Sequence, residues 1–363
     1  MAKNALDRVF VSGFKSIREL DLELRQINAM IGPNGAGKTN LVCLFRMLNF
    51  MTTESLQLFV GRQGGAESLL HLGADETPQL LVTLNFTTET GTSEYHARLV
   101  NASQDSMLFA DESISFHRHG KERPKIISLG AGHAETRLLK VEDRRDRPTC
   151  NVIHHILRQC QVYNFHDTSE TGRIRKPGYV QDNRYLRQDG GNLAAFLLKV
   201  RNSFPEIYEA VEQAVAEAYP PFEAFILKRG SYEGESIGIH WREKGADYVF
   251  GPHQLPDGFL RFIALATLLT QSPEDLPDAI ILDEPELGLH PSGISVLSRL
   301  IKQASEHAQI LFGTQSVFLV DQLSSEDVLL VERKDGSSRY TRPGPGDLED
   351  WLDRYSLSQF VES

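Results

Sequence analysis

The chain has 363 residues, 40% hydrophobic and 24% charged, enough for about two domains with a well-buried core. Its net charge of −11 argues against a protein that coats nucleic acid with its whole surface. The acidity is uneven, because residues 118–187 carry 15 Lys and Arg against 8 Asp and Glu, between two acidic flanks.

Residues 8–12 and 20–24 alternate apolar and polar positions and predict two strands, with Gly13 as the turn between them. A third apolar strand, 27–31, runs into Gly32-Pro33-Asn34-Gly35-Ala36-Gly37-Lys38-Thr39. After it, 40–51 has helical spacing through Leu41, Leu44, Phe45 and Leu48. Residues 80–86 and 95–100 read as a strand pair. From 101 to 190 the periodicity weakens and Arg, His, Gly and Pro accumulate, as in an insertion. Helices follow at 193–200 and 205–218, then strands at 225–228 and 236–241, a helix at 259–269 and an apolar strand at 279–282. A helix at 294–306 and strands at 309–313 and 328–332 complete the pattern. Strands alternating with helices around a glycine-rich turn predict an α/β fold. The expected division is a lobe at 1–100, a basic and helical insertion at 101–250, a second lobe at 251–345 and a tail at 346–363.

The cysteines Cys43, Cys150 and Cys160 are odd in number and form no close pair, which argues for a reducing compartment and against a disulfide framework. No secretory leader is evident, and no window approaches ~18 uninterrupted apolar residues, so a cytoplasmic chain without membrane contact is expected. Cys150, His154, His155, Cys160 and His166 match no usual zinc spacing, and packing is the expectation for them.

Two segments carry chemistry. Gly32-x-x-x-x-Gly37-Lys38-Thr39, between a strand and a helix, is a complete phosphate loop. Its backbone amides would surround the phosphates of ATP, with Lys38 as a point charge and the Thr39 hydroxyl facing Mg²⁺. Gly32, Asn34, Gly35, Gly37, Lys38, Thr39 and Asn40 form the expected ATP-binding set. The second segment is Ala279-Ile-Ile-Leu-Asp283-Glu284-Pro285, a buried strand with two acids at the end where α/β sheets place ligands. Asp283 is expected on the metal, and Glu284 is expected to take a proton from the attacking water.

With Val11-Ser-Gly-Phe-Lys-Ser-Ile17 before the loop and Leu282-Asp-Glu-Pro-Glu-Leu-Gly-Leu-His-Pro291 after it, the chain resembles the ABC-type ATPase heads of the RecF, structural-maintenance-of-chromosomes and OLD group. The resemblance spans nearly the whole chain, and Val162-Tyr-Asn-Phe-His-Asp-Thr-Ser169 is similar to small stand-alone ATPases of that group. It implies a P-loop NTPase head with an α+β insertion, and head-to-tail dimers that sandwich ATP. Gln63 resembles the glutamine that reaches metal and water. Leu255-Pro256-Asp257-Gly258 resembles the signature loop, so Leu255, Asp257 and Gly258 are expected to touch the partner's ATP. Pro256 departs from the pattern, standing where a serine hydroxyl is usual. Gln315 lies at the switch-histidine position and joins Lys38 and Glu284 as expected catalytic residues. His290 takes the place of the D-loop aspartate.

Two readings remain for the basic block. Arg144, Arg145, Arg147, Arg173, Arg175 and Lys176 could meet a nucleic-acid backbone or a partner, or form a solvated surface interleaved with Glu142, Asp143 and Asp146. The resemblance implies an ATPase whose ATP-dependent homodimer controls a nucleic-acid-directed process. Anti-phage or plasmid defence with a separate effector leads, and DNA repair is the other setting. The stretch between Thr39 and Leu255 is too short and irregular for a long coiled coil, and little chain follows Gly346 for a nuclease domain. The alternative is an ATP-gated scaffold with little turnover.

Overall fold

The computed structural model describes residues 4–229, 235–344 and 346–352. Strands β1 (Ala5–Phe14) and β2 (Ile17–Glu23) form a hairpin closed by Lys15 and Ser16. Gly13 is therefore not the turn; it lies inside β1, pressed against the Gln79 carbonyl. Next come β3 (Ile27–Ile31), α1 (Lys38–Thr52), α2 (Leu56–Arg62), β4 (Gln79–Thr88) and β5 (Gly91–Ala102). Two strands of the weakly periodic region, β6 (Ser106–Arg118) and β7 (Lys125–Gly130), extend the same sheet, and residue 100 falls inside β5. This antiparallel sheet has the order β2-β1-β4-β5-β6-β7.

The alternation of β6 was obscured for two physical reasons. Register shifts opposite Arg98–Leu99 and at Glu112–Ser113 move side chains between faces. An inward position is also occupied by a carboxylate, Glu112, which is fully buried. It accepts hydrogen bonds from the Tyr95 hydroxyl at 2.8 Å, the Thr136 hydroxyl and the Arg137 amide at 3.0 Å, so this buried polar group has its hydrogen bonds supplied by protein.

The chain continues through α3 (Arg147–Gln159), β8 (Cys160–Tyr163), β9 (Gly178–Tyr179), α4 (Leu193–Ser203) and α5 (Pro205–Ala218). It then forms β10 (Phe222–Arg229), β11 (Ser236–Glu243), β12 (Val249–Phe250), α6 (Asp257–Leu269) and β13 (Ala279–Asp283). The last elements are α7 (Pro291–Ser305), β14 (Gln309–Thr314), α8 (Val317–Val320), β15 (Val328–Lys334) and β16 (Ser337–Thr341). A second sheet has the order β16-β15-β3-β14-β13-β8, parallel except for β16. A small third sheet joins β10, β11, β12 and β9.

Helix α1 lies between the two large sheets. Its Phe45 and Leu48 share one buried cluster with Leu84 of the antiparallel sheet and Leu311 of the parallel one. On the other face of β14, Ile310 and Phe312 pack in a second cluster with Phe262 of α6 and Leu300 of α7. Both faces of the parallel sheet are thus covered, which explains the unbroken apolar runs of β13 and β14. The Gln309 side chain ties the sheets together, accepting from the Leu6 amide at 2.7 Å and donating to its carbonyl at 3.0 Å. Leu348, Trp351 and Leu352 pack on Ile31 and Val328, while 353–363 of the expected tail lie outside the described residues.

Candidate nucleotide site

The turn between β3 and α1 is shaped from outside by β16. A Cβ on Gly37, whose φ is 122°, would stand 2.0 Å from the Ser338 hydroxyl oxygen, so only glycine fits. Ser338 donates to the Ala36 carbonyl, and the Tyr340 hydroxyl donates to the Gly37 carbonyl at 2.8 Å. Asn40 donates to the Ser16 hydroxyl. Among the described residues, the amides of Gly35, Gly37, Lys38 and Thr39 donate to no protein atom. Four unspent donors at the start of a 15-residue helix make a phosphate cradle. Asn34 lies exposed at the rim of this turn, and buried Gly32 begins it.

Lys38 is 5% exposed, and its ammonium donates to the carbonyls of Gly32 and Pro33. Burial lowers its pKa, while Glu284 and Asp283 oppose that shift. Across the sheet, β13 ends with Asp283 beside this loop, and the Thr39 hydroxyl lies 3.4 Å from its Oδ1. Burial raises the Asp283 pKa, the state of a carboxylate that gains from a nearby cation. A hydroxyl and a half-buried carboxylate converging on one point are hard oxygen donors, which fit Mg²⁺.

Glu284 turns away from the strand with φ 41°, and its amide donates to the Gly313 carbonyl at 2.8 Å. Its carboxylate accepts a hydrogen bond from the Gln315 side-chain amide. Glu286 holds this turn: buried, with its pKa pushed up by burial, it accepts from the Thr314 hydroxyl and from the Gln315 amide at 3.1 Å. A cavity of about 20 Å³ beside Glu284, lined also by His166 and Arg261, has room for one water.

Gln63 caps α2, where its side-chain oxygen Oε1 accepts from Lys15 Nζ at 2.9 Å and faces Cys43, one helical turn beyond Thr39. Leu255 is buried, Pro256 caps α6 without a side-chain hydrogen bond, and Asp257 and Gly258 form its first turn. Gly258 packs directly on Gly288, in the loop after β13. His290 caps α7 on the exposed side of that loop.

One expected partner-contacting cation is corrected. Arg175 is buried at 7% exposure and pairs with Asp257, so it faces inward. Its other hydrogen bonds go to the carbonyls of Thr168, Pro252 and Leu255. The remaining basic positions are exposed. Arg145 pairs with Asp143 at 2.8 Å, Arg173 pairs with Asp189 at 3.2 Å, and Arg147 donates to the Val141 carbonyl at 2.9 Å. The side chains of Arg144 and Lys176 have no partner among the described residues. Cys150 and Cys160 are buried, and His154 Nε2 lies 2.8 Å from the Thr52 carbonyl, within hydrogen-bonding reach. His166 stands apart from them, its Nε2 2.8 Å from the Asp283 carbonyl.

Sequence reasoning missed Ser16, Ser338 and Tyr340, which hold the phosphate loop from distant segments. It also missed Glu286, although that residue falls inside a stretch singled out for its resemblance.

The loop, the acidic strand end and the layered sheets define a P-loop ATPase head of the ABC type. A family model described as "AAA domain, putative AbiEii toxin, Type IV TA system" matches residues 96–321, and the chain belongs to that family. The OLD nuclease of Thermus scotoductus is 23% identical over 92% of this chain, which spans 63% of that protein's length. A protein of Clostridium acetobutylicum named as a putative ABC transporter ATP-binding protein is 34% identical over 23% of this chain and 29% of its own. Among solved structures, an Smc head bound to the C-winged helix domain of ScpA is 14% identical with a TM-score of 0.59, covering 95% of this chain and 99% of that one. An Smc head with an extended coiled coil, bound to the C-terminal domain of ScpA and derived from Pyrococcus furiosus, is 13% identical with a TM-score of 0.60. It covers 98% of this chain and 100% of that one. The fold is that of these heads. Among the described residues, no helix is long and apolar enough to cross a membrane.

Proposed function

We propose that the chain is a Mg²⁺-dependent ATPase in which two copies pair head to tail around ATP, and that this pairing gates a nucleic-acid-directed process. The observation that carries the reading is the Gln315–Glu284 contact next to the Thr39–Asp283 pair at the start of the phosphate-loop helix. Thr39 and Asp283, with Gln63 further out, would hold Mg²⁺, which supplies charge neutralisation at the phosphates. Glu284 takes a proton from the attacking water, while Gln315 orients that carboxylate. Water adds to the γ-phosphorus as its bond to the bridging oxygen breaks, leaving ADP and phosphate. Leu255, Asp257 and Gly258 would meet the ATP of the second copy, so ATP favours the paired state and hydrolysis releases it.

The family's description, which names a type IV toxin–antitoxin system, and the likeness to an OLD nuclease support a defence setting. DNA repair is the other setting that this reading accommodates. Exposed Arg144, Arg145, Arg147, Arg173 and Lys176 are the cations available to nucleic acid or partner. Pro256, with no hydroxyl to offer at the helix cap, favours a second reading, a scaffold that binds ATP but hardly turns over. Steady-state hydrolysis with and without DNA separates the two. Glu284→Gln should lower kcat by ~10²–10⁴ and trap an ATP-bound dimer. A wild type without turnover under any condition removes the enzyme reading.

A further inference from the structure

Asp257 is an awkward residue to find at the first turn of α6. A carboxylate stabilises its own helix there, yet it repels any phosphate approaching the same end. In this chain it is not a bare charge. Arg175, itself 7% exposed, reaches it across 82 positions of sequence, and that ion pair holds the Asp257 carboxyl below its usual range. The same guanidinium donates to the carbonyls of Pro252 and, at 3.0 Å, Leu255, so it clamps the turn leading into the helix. Its Nε donates to the Thr168 carbonyl, two residues from His166, whose imidazole lies against the Asp283 carbonyl. The His166 carbonyl accepts in turn from Arg261 of α6 at 3.0 Å. The segment from β8 to residue 176 therefore straps the start of α6 to the end of β13.

We propose that Arg175 is a positioning residue for the ATP-driven pairing of two copies. It cancels the Asp257 charge and fixes the Leu255–Asp257 turn, so that the start of α6 can accept the γ-phosphate held by the other copy. The inference rests on the reading under Proposed function and adds to it the residue that makes this surface acceptable to an anion.

The test uses the full chain with MgATP in the Glu284→Gln background, where dimers persist. Arg175→Ala should leave ATP binding by the monomer within about twofold and weaken ATP-driven dimer formation about tenfold or more. Adding Asp257→Asn should recover part of that loss, because the uncompensated carboxylate is then gone. A role in folding alone would not respond to this second change. In the hydrolysing protein, mixing Arg175→Ala with Lys38→Ala should restore turnover, since one composite site then has an intact loop and an intact α6. If Arg175→Ala is too unstable to purify, Arg175→Lys, which keeps the charge but not the fork, should pair better than Arg175→Met. Dimers of Arg175→Ala as tight as the parent's, or no recovery with Asp257→Asn, would overturn the inference. A parent that binds ATP but never pairs would instead overturn the proposed function, and this inference with it.

Discussion

Gly258 and Gly288 meet backbone to backbone: a Cβ on Gly258 would stand 2.0 Å from the Gly288 carbonyl oxygen and 2.6 Å from its carbon. The first turn of α6 is thereby seated on the loop that follows β13, with Arg261 reaching the Leu287 carbonyl at 3.4 Å alongside. Backbone atoms cannot rotate away as a flexible side chain can. Gly258→Ala should therefore cost about 1–3 kcal/mol of stability through overpacking. It should also reduce ATP-driven pairing while leaving ATP binding by the monomer unchanged. Chemical denaturation and light scattering with MgATP check the two parts, and wild-type pairing in the variant would refute the second.

Gln309 satisfies both backbone groups of Leu6 at once. Gln309→Ala leaves a buried donor and a buried acceptor without partners, and should cost about 2–4 kcal/mol. The urea midpoint measures this, and ATP binding by the folded fraction should not change. An unchanged midpoint would mean that the two groups find other partners.

All three thiols are buried, and burial pushes Cys150 up to about 11 and Cys160 up to about 12. The native protein should therefore react slowly with thiol reagents at pH 8 and rapidly once unfolded. The stability sign follows from the same shift. Unfolded thiols lose protons near pH ~8.5 while the folded ones keep theirs, so stability present below that pH should decline as pH rises toward 11 and beyond. Denaturation midpoints at pH 8 and 10.5 test it, and fast native alkylation at pH 8 would contradict it.

Of the basic triplet, only the Arg144 side chain has no partner among the described residues, since Arg145 holds Asp143 and Arg147 holds the Val141 carbonyl. If the block meets nucleic acid, neutralising all three should leave ATP binding intact and lower affinity, with a salt slope smaller by roughly one per lost phosphate contact. Arg144→Ala alone should produce the larger share. Equal affinity in the triple variant would show that the surface is only solvated.

Where one short segment makes a feature, the residues alone were enough to read it. The phosphate loop is a strand, a turn and a helix in sequence, and its chemistry lies in amides and side chains a few positions apart. The buried strand β13 announced itself because both faces of the parallel sheet are covered, which demands an unbroken apolar run. The antiparallel extension through β6 and β7 was not legible. Register shifts interrupt its alternation, and Glu112 occupies an inward position that a pattern reader assigns to an apolar residue.

The same division holds at the site. Walker-type chemistry at Lys38, Thr39, Asp283 and Glu284 could be proposed from motif and order alone. That Arg175 turns inward to Asp257 could not, because nothing local distinguishes it from Arg173, which stays exposed. Likewise, Ser338 supports the Ala36 carbonyl across 302 positions. Such contacts depend on how sheets and loops stack, and stacking is decided by the burial of whole faces rather than by any one segment. The sequence by itself therefore determined the phosphate-loop motif and the kind of fold. Only the tertiary structure decided which charges are spent inside the protein and which remain at its surface.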